Sequence, residues 1–139
     1  MQSVRDADGT RYLLVKRSSE SSLVRDPATG EERHLPNDRL QTEGESPLSA
    51  AATGVSNDVR RAVLACRDER ALGLLVEFVD RGPLSVRTLL DSYDLCESDL
   101  HGVLAEFRAA GLLAETTVAG ERGYEPTDEA VTVVDRFRA

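Results

Sequence analysis

Tryptophan is missing from this chain, methionine occurs once, and cysteine and histidine occur twice each. Aromatic residues make up 4% of the composition, so leucine, valine and alanine must fill the core. Cys66 and Cys96 are far apart, with no further cysteine or histidine at ligand spacing. That argues against a disulfide framework and against a zinc site, and both thiols are expected reduced and partly buried. No apolar run approaches the roughly 18 residues of a membrane span. The first residues lack the apolar middle of a signal peptide, so the expectation is a cytoplasmic protein. There is also no glycine-rich phosphate loop, no Gly-x-Ser-x-Gly and no paired-histidine motif, and no nucleophile stands beside an evident base. The chain is therefore not read as an enzyme, and no cofactor or metal is implied.

What is present suffices for one compact domain or two small ones, with 40% apolar residues in 139. Residues 1–40 read as a small antiparallel β-meander. Val4-Arg5 and Thr10–Arg17 are strand candidates around the turn Asp6–Gly9. Ser22–Arg25 and Glu31–Leu35 flank Asp26-Pro-Ala-Thr-Gly30, where Pro27 presets φ and Gly30 can take the left-handed conformation. Pro36–Leu40 turns the chain. Residues 41–67 read as a linker and connecting helices. Gln41–Ser46 is polar, Pro47–Thr53 suits a short helix opened by proline, and a second helix carries Val59, Val63 and Leu64 as its stripe.

From Asp68 on, three helical patterns separated by short breaks lead into two strands. The first spans Asp68–Asp80, with Ala71, Leu72, Leu75, Val76 and Val79 at helical spacing and Phe78 alongside, and Gly82-Pro83 stops it. Ser85 caps the second, whose apolar face is Val86, Leu89 and Leu90. After the turn at Asp94-Leu95, with Leu95 expected in the core, the third begins near Glu97 or Ser98. It buries Leu100, Val103, Leu104 and Phe107, and Gly111 ends it. Leu113–Val118 and Tyr124-Glu125 read as strands around a turn over Ala119–Gly123. Thr127 then caps a last helix with Val131, Val134 and Phe137 as its apolar positions. The fold class expected is α+β, with residues 68–139 as a winged helix-turn-helix behind the meander.

Leu95–Leu113 resembles the third helix of MarR-like and ArsR-like winged-helix regulators. Phe107-Arg-Ala-Ala-Gly-Leu-Leu113 is similar to their Leu-x-x-x-Gly-Leu phrase, with phenylalanine for leucine. Tyr124-Glu-Pro-Thr-Asp-Glu-Ala130 looks like their Tyr-x-Leu-Thr-x-x-Gly exit from the wing, with proline for leucine and alanine for glycine. The likeness covers Asp68–Ala139. The whole chain also resembles small haloarchaeal helix-turn-helix proteins with a β-rich N-terminal extension, and one lysine against sixteen arginines at a net charge of −8 suits that resemblance.

The resemblance implies a transcriptional regulator that reads double-stranded DNA, probed by Ser98, Asp99, His101 and Gly102 in the major groove. Arg108 would take a phosphate, Ser85, Arg87 and Thr88 would contact the duplex from the second helix, and Arg122 would sit at the wing tip as a minor-groove probe. A homodimer through the 57–66 helix and the last helix would set two reading helices about 34 Å apart. Charge runs the other way. Residues 67–139 hold 8 basic and 15 acidic groups, and the outer face of the third helix is small and mildly acidic. The alternative is thus a winged-helix module that docks a protein partner without touching DNA. The meander's Arg11, Lys16, Arg17, Arg25, Arg33 and Arg39 could supply a basic face instead.

Overall fold

In the computed structural model, which describes residues 1–139, period-two alternation orders the first half of the chain. Strands β1 (Gln2–Arg5), β2 (Arg11–Arg17), β3 (Ser21–Arg25), β4 (Glu32–Pro36) and β5 (Gln41–Glu43) form one antiparallel sheet in the order β4-β3-β2-β1-β5. Val4, Tyr12, Leu14 and Val24 share one face and are buried, with Leu35 and Leu40 against them. Ser3 and Leu13 pair across β1 and β2 on the opposite face, where helix α1 (Pro47–Ala52) packs. A bulge between Leu14 and Lys16 leaves Val15 exposed. The hairpin around Pro27 forms as expected, with Gly30 at φ 75°. Pro36–Leu40 contains one 3-10 turn, Asn37–Arg39.

The linker reading of residues 41–46 needs correction. Gln41–Glu43 is an edge strand on β1, with Val4 opposite Thr42. Arg5 Nε donates to Glu43 at 2.5 Å, and Arg11 pairs with both Glu43 and Glu45. Three polar residues held by backbone pairing and charge leave no apolar period to read.

By contact density the chain separates into two units, Met1–Arg60 and Arg61–Ala139, and the division falls within α2 (Asn57–Ala65) rather than in a linker. The second unit continues as α3 (Glu69–Arg81), β6 (Leu84–Ser85), α4 (Val86–Ser92), α5 (Glu97–Ala109), β7 (Leu113–Val118), β8 (Glu121–Pro126) and α6 (Asp128–Phe137). Its sheet is antiparallel in the order β6-β8-β7. The molecule is thus α+β, with six α-helices and two antiparallel sheets.

Caps set the helix ends. Asp68 accepts from the Ala71 amide, Ser85 from Thr88 and Thr127 from Ala130. Gly82 (φ 79°, ψ −148°) and Gly111 (φ 76°) end α3 and α5 at positive φ, which glycine adopts without the Cβ penalty. The stripe of α5 is buried as expected, with Leu100, Leu104 and Phe107 at 1% exposure or less. In α4 the expected Leu89 is buried with Val86 and Leu90 half-buried, whereas the stripes of α3, α2 and α6 are only partly as expected. Helix α3 buries Ala71, Leu74, Leu75 and Phe78 and leaves Leu72 partly exposed. Helix α2 buries Ala62 and Ala65 while Val63 and Leu64 face solvent, and α6 buries Ala130, Val133 and Val134 while Val131 and Phe137 do not. Leu95 is half-buried rather than in the core.

Strand β6 was not expected, and it explains Gly123. Leu84 and Ser85 pair with Tyr124 and Gly123, and a Cβ on Gly123 would lie 2.6 Å from the Leu84 carbonyl oxygen. Gly123→Ala forces β6 and β8 apart and is expected to cost about 1–3 kcal/mol in urea denaturation, the usual range for overpacking. A neutral result would mean that β6 does not approach β8 so closely.

Arg138 of α6 clasps Asp80 of α3 through two hydrogen bonds, at 3.0 and 2.7 Å. That hydrogen bonding holds the Asp80 carboxyl below its ordinary value, with the Arg138 charge adding to it. A depressed carboxyl stabilises the fold above the unfolded-state value of about 3.9 and loses that contribution as pH falls through the folded value. Asp80→Asn should therefore lower Tm slightly at neutral pH, and the deficit should shrink in acid. An equal deficit at both pH values would assign the effect to packing.

Candidate nucleic-acid interface

Burying the Leu100, Val103, Leu104 and Phe107 side of α5 turns its other side outward. Ser98, Asp99, His101, Ala105, Glu106, Arg108 and Ala109 are all exposed. Four residues, Tyr93–Cys96, separate α4 from α5, and the β7–β8 hairpin follows directly. The elements that carry the expected contacts are therefore consecutive in one unit.

Individual side chains differ in what they can offer. Ser98 and His101 are available, although the His101 Nε2 lies 3.6 Å from Glu97 one turn earlier. Asp99 lines a groove of about 690 Å³ that also takes in Leu74, Tyr93 and Leu95. Gly102 is not an open gap in the face. The Arg67 guanidinium lies over it, with Nη2 3.2 Å from where a Cβ would sit. Arg67 stands in the turn before α3, and nothing in the spacing of the sequence joins it to Gly102.

Ser85 comes off the list of contacts. It is 3% exposed, its Oγ receives the Thr88 amide, and its hydroxyl donates to Thr88 Oγ1 at 2.9 Å. The cap that makes Ser85 legible as a helix start also consumes its hydroxyl. Thr88 is half-buried in the same cap, whereas Arg87 is freely exposed and lies 3.6 Å from Glu121.

Arg122 is misplaced by the sequence reading. The hairpin turn is only Ala119-Gly120, both at positive φ, so β8 begins at Glu121 and Arg122 pairs with Thr117 inside the ladder. Two successive positive-φ residues make the tight type I′ turn, and alanine in the first position hides it from sequence. The Arg122 Nη2 donates to Tyr124 Oη at 3.0 Å and to Glu115 Oε1 at 3.1 Å. These partners, Tyr124 first, raise the guanidinium above its ordinary value, so it is a fixed cation. Arg108 Nη1 reaches the same Glu115 oxygen at 3.0 Å. Arg108 of α5 and Arg122 of β8 thus meet at Glu115, while Arg87 of α4 stands apart beside Glu121, and sequence reasoning passed over both glutamates.

Of the meander's cations, Lys16, Arg17 and Arg39 are exposed, while Arg11 is held by Glu43 and Glu45 and Arg33 donates to Tyr12 Oη. They do not form one free basic face.

The cysteines differ in environment. Cys96 is exposed at the head of α5, contrary to the partly buried thiol expected, with its Sγ 3.4 Å from Ser98 Oγ. Burial, and then the Asp68 charge, push the Cys66 thiol up. Because the thiolate is the reactive form, Cys96 should take up a maleimide at least about tenfold faster than Cys66 near neutral pH, read by mass spectrometry. Equal rates would mean that Cys66 opens to solvent.

The chain belongs to a family of unknown function (DUF7346), whose model matches residues 1–138. No curated protein and no solved structure matches it.

Proposed function

We propose that this DUF7346 member is a DNA-binding transcriptional regulator, cytoplasmic and MarR/ArsR-like, whose second unit is a winged helix-turn-helix. The order α3-β6-α4-α5-β7-β8-α6, with β6 completing the sheet of the wing, supports that assignment. One observation carries the functional reading. The outer side of α5 is exposed at Ser98, His101, Ala105, Glu106, Arg108 and Ala109, next to a hairpin where Arg108 and Arg122 meet at Glu115. Ser98 and His101 present hydroxyl and imidazole groups to base edges, and the arginines meet phosphates.

The partner is duplex DNA, and the working form is a homodimer. Val63 and Leu64 of α2 and Val131 and Phe137 of α6 leave apolar surface exposed on the helices flanking the reading unit. Pairing two copies there would present two α5 helices to successive turns of one operator. The reading needs neither an enzymatic step nor a cofactor. A second reading, a winged-helix module that docks another protein, is favoured by one feature, the carboxylates Glu97, Asp99 and Glu106 on the exposed side of α5.

A gel shift against genomic fragments separates the two. It should be run across salt up to about 2 M KCl, because affinity depends on counterion release and a value at one salt is uninterpretable. The regulator reading expects retention of a few fragments, weakened at least about tenfold when His101 and Arg108 are both replaced by alanine, since each lost contact costs about 1–3 kcal/mol. Retention of no fragment at any salt would sink it and leave the docking module.

A further inference from the structure

Two guanidiniums on one carboxylate oxygen is an unusual arrangement for a chain so rich in acids. Arg108 Nη1 at 3.0 Å and Arg122 Nη2 at 3.1 Å both point at Glu115 Oε1. The three residues come from three elements, α5, β8 and β7. Arg122 is further pinned by Tyr124, whose ring is 4% exposed and cannot swing. All three side chains reach solvent, Glu115 at 43%, Arg108 at 56% and Arg122 at 63% exposure, so Glu115 has room to turn outward.

We propose that Arg108 and Arg122 form a single oxyanion clamp for a backbone phosphate of nucleic acid, and that Glu115 occupies it as a built-in competitor. A carboxylate and a phosphodiester each carry one negative charge on paired oxygens, and a pair of guanidiniums recognises both with the same donor geometry. When phosphate enters, Glu115 must turn away into water, because two anions cannot share the clamp. The carboxylate therefore raises the threshold for binding. A phosphate held by further contacts displaces it, and an isolated polyanion does so poorly. A purely structural role for the cluster would make Glu115 a modest contributor to stability and irrelevant to anions.

The inference rests on the regulator reading, so the test uses two probes, duplex DNA of mixed sequence and heparin. Glu115→Gln keeps the side chain's size and removes its charge. Glu125→Gln makes the same charge change at an exposed position of the same strand, three residues after Arg122 and opposite Ala114, and serves as the control. Relative to the parent and the control, Glu115→Gln should bind duplex roughly three- to tenfold tighter, the scale of two exposed ion pairs, with a log–log salt slope steeper by about one. It should also elute later from heparin, and both effects should vanish when Arg108 and Arg122 are already glutamine. Equal behaviour of Glu115→Gln and Glu125→Gln on heparin overturns the clamp whatever DNA does. A heparin shift with no duplex binding by any variant upholds the clamp as an anion site and defeats the regulator reading instead.

Discussion

The burial of one side of α5 is the constraint from which the rest follows. Leu100, Val103, Leu104 and Phe107 fill the centre of the second unit together with Phe78, Leu89, Leu112 and Val134. Each fully buried large side chain contributes about 1.5–3 kcal/mol, so the helix cannot rotate without exposing several at once. Its remaining side therefore faces water by necessity. The caps of Ser85 and Thr127 and the left-handed Gly111 then fix where the neighbouring helices and the hairpin begin, and so which side chains stand beside that face.

The charge pattern gains a meaning from this geometry that composition lacks. A chain of net charge −8 has every reason to repel DNA. Two of its cations nevertheless converge beside the hairpin, with Arg108 and Arg122 meeting at Glu115. At about 1 M salt the Debye length is about 3 Å, so only groups in contact act on one another. The proposed recognition of DNA would depend, in such salt, on how a few arginines are placed more than on net charge.

Sequence reasoning reached α5 because its apolar residues recur at 3, 4 and 7 positions with small or charged residues between. The stripe of α2 was misplaced and those of α3 and α6 were only partly right, because apolar residues lie on more than one side of each. In α3, Leu72, Val76 and Val79 imitate a stripe, and only packing decides that Leu74 lies inward beside Ala71, Leu75 and Phe78. Strands β5 and β6, of three and two residues, carry no period at all. At the candidate interface, the identity of Arg87, Arg108 and Arg122 was legible but their partners were not. Glu115 lies seven residues from Arg108 and from Arg122, a separation that means nothing until β7 and β8 pair.

The proposed nucleic-acid interface is the outward side of α5 with the adjoining hairpin. Amide chemical-shift mapping of the labelled protein against a retained duplex tests it most directly. The largest changes should fall on Ser98, His101, Ala105 and Arg108 of α5 and on Glu115 and Arg122 of the hairpin. Changes confined to the five-stranded sheet of residues 1–43, with α5 silent, would contradict it.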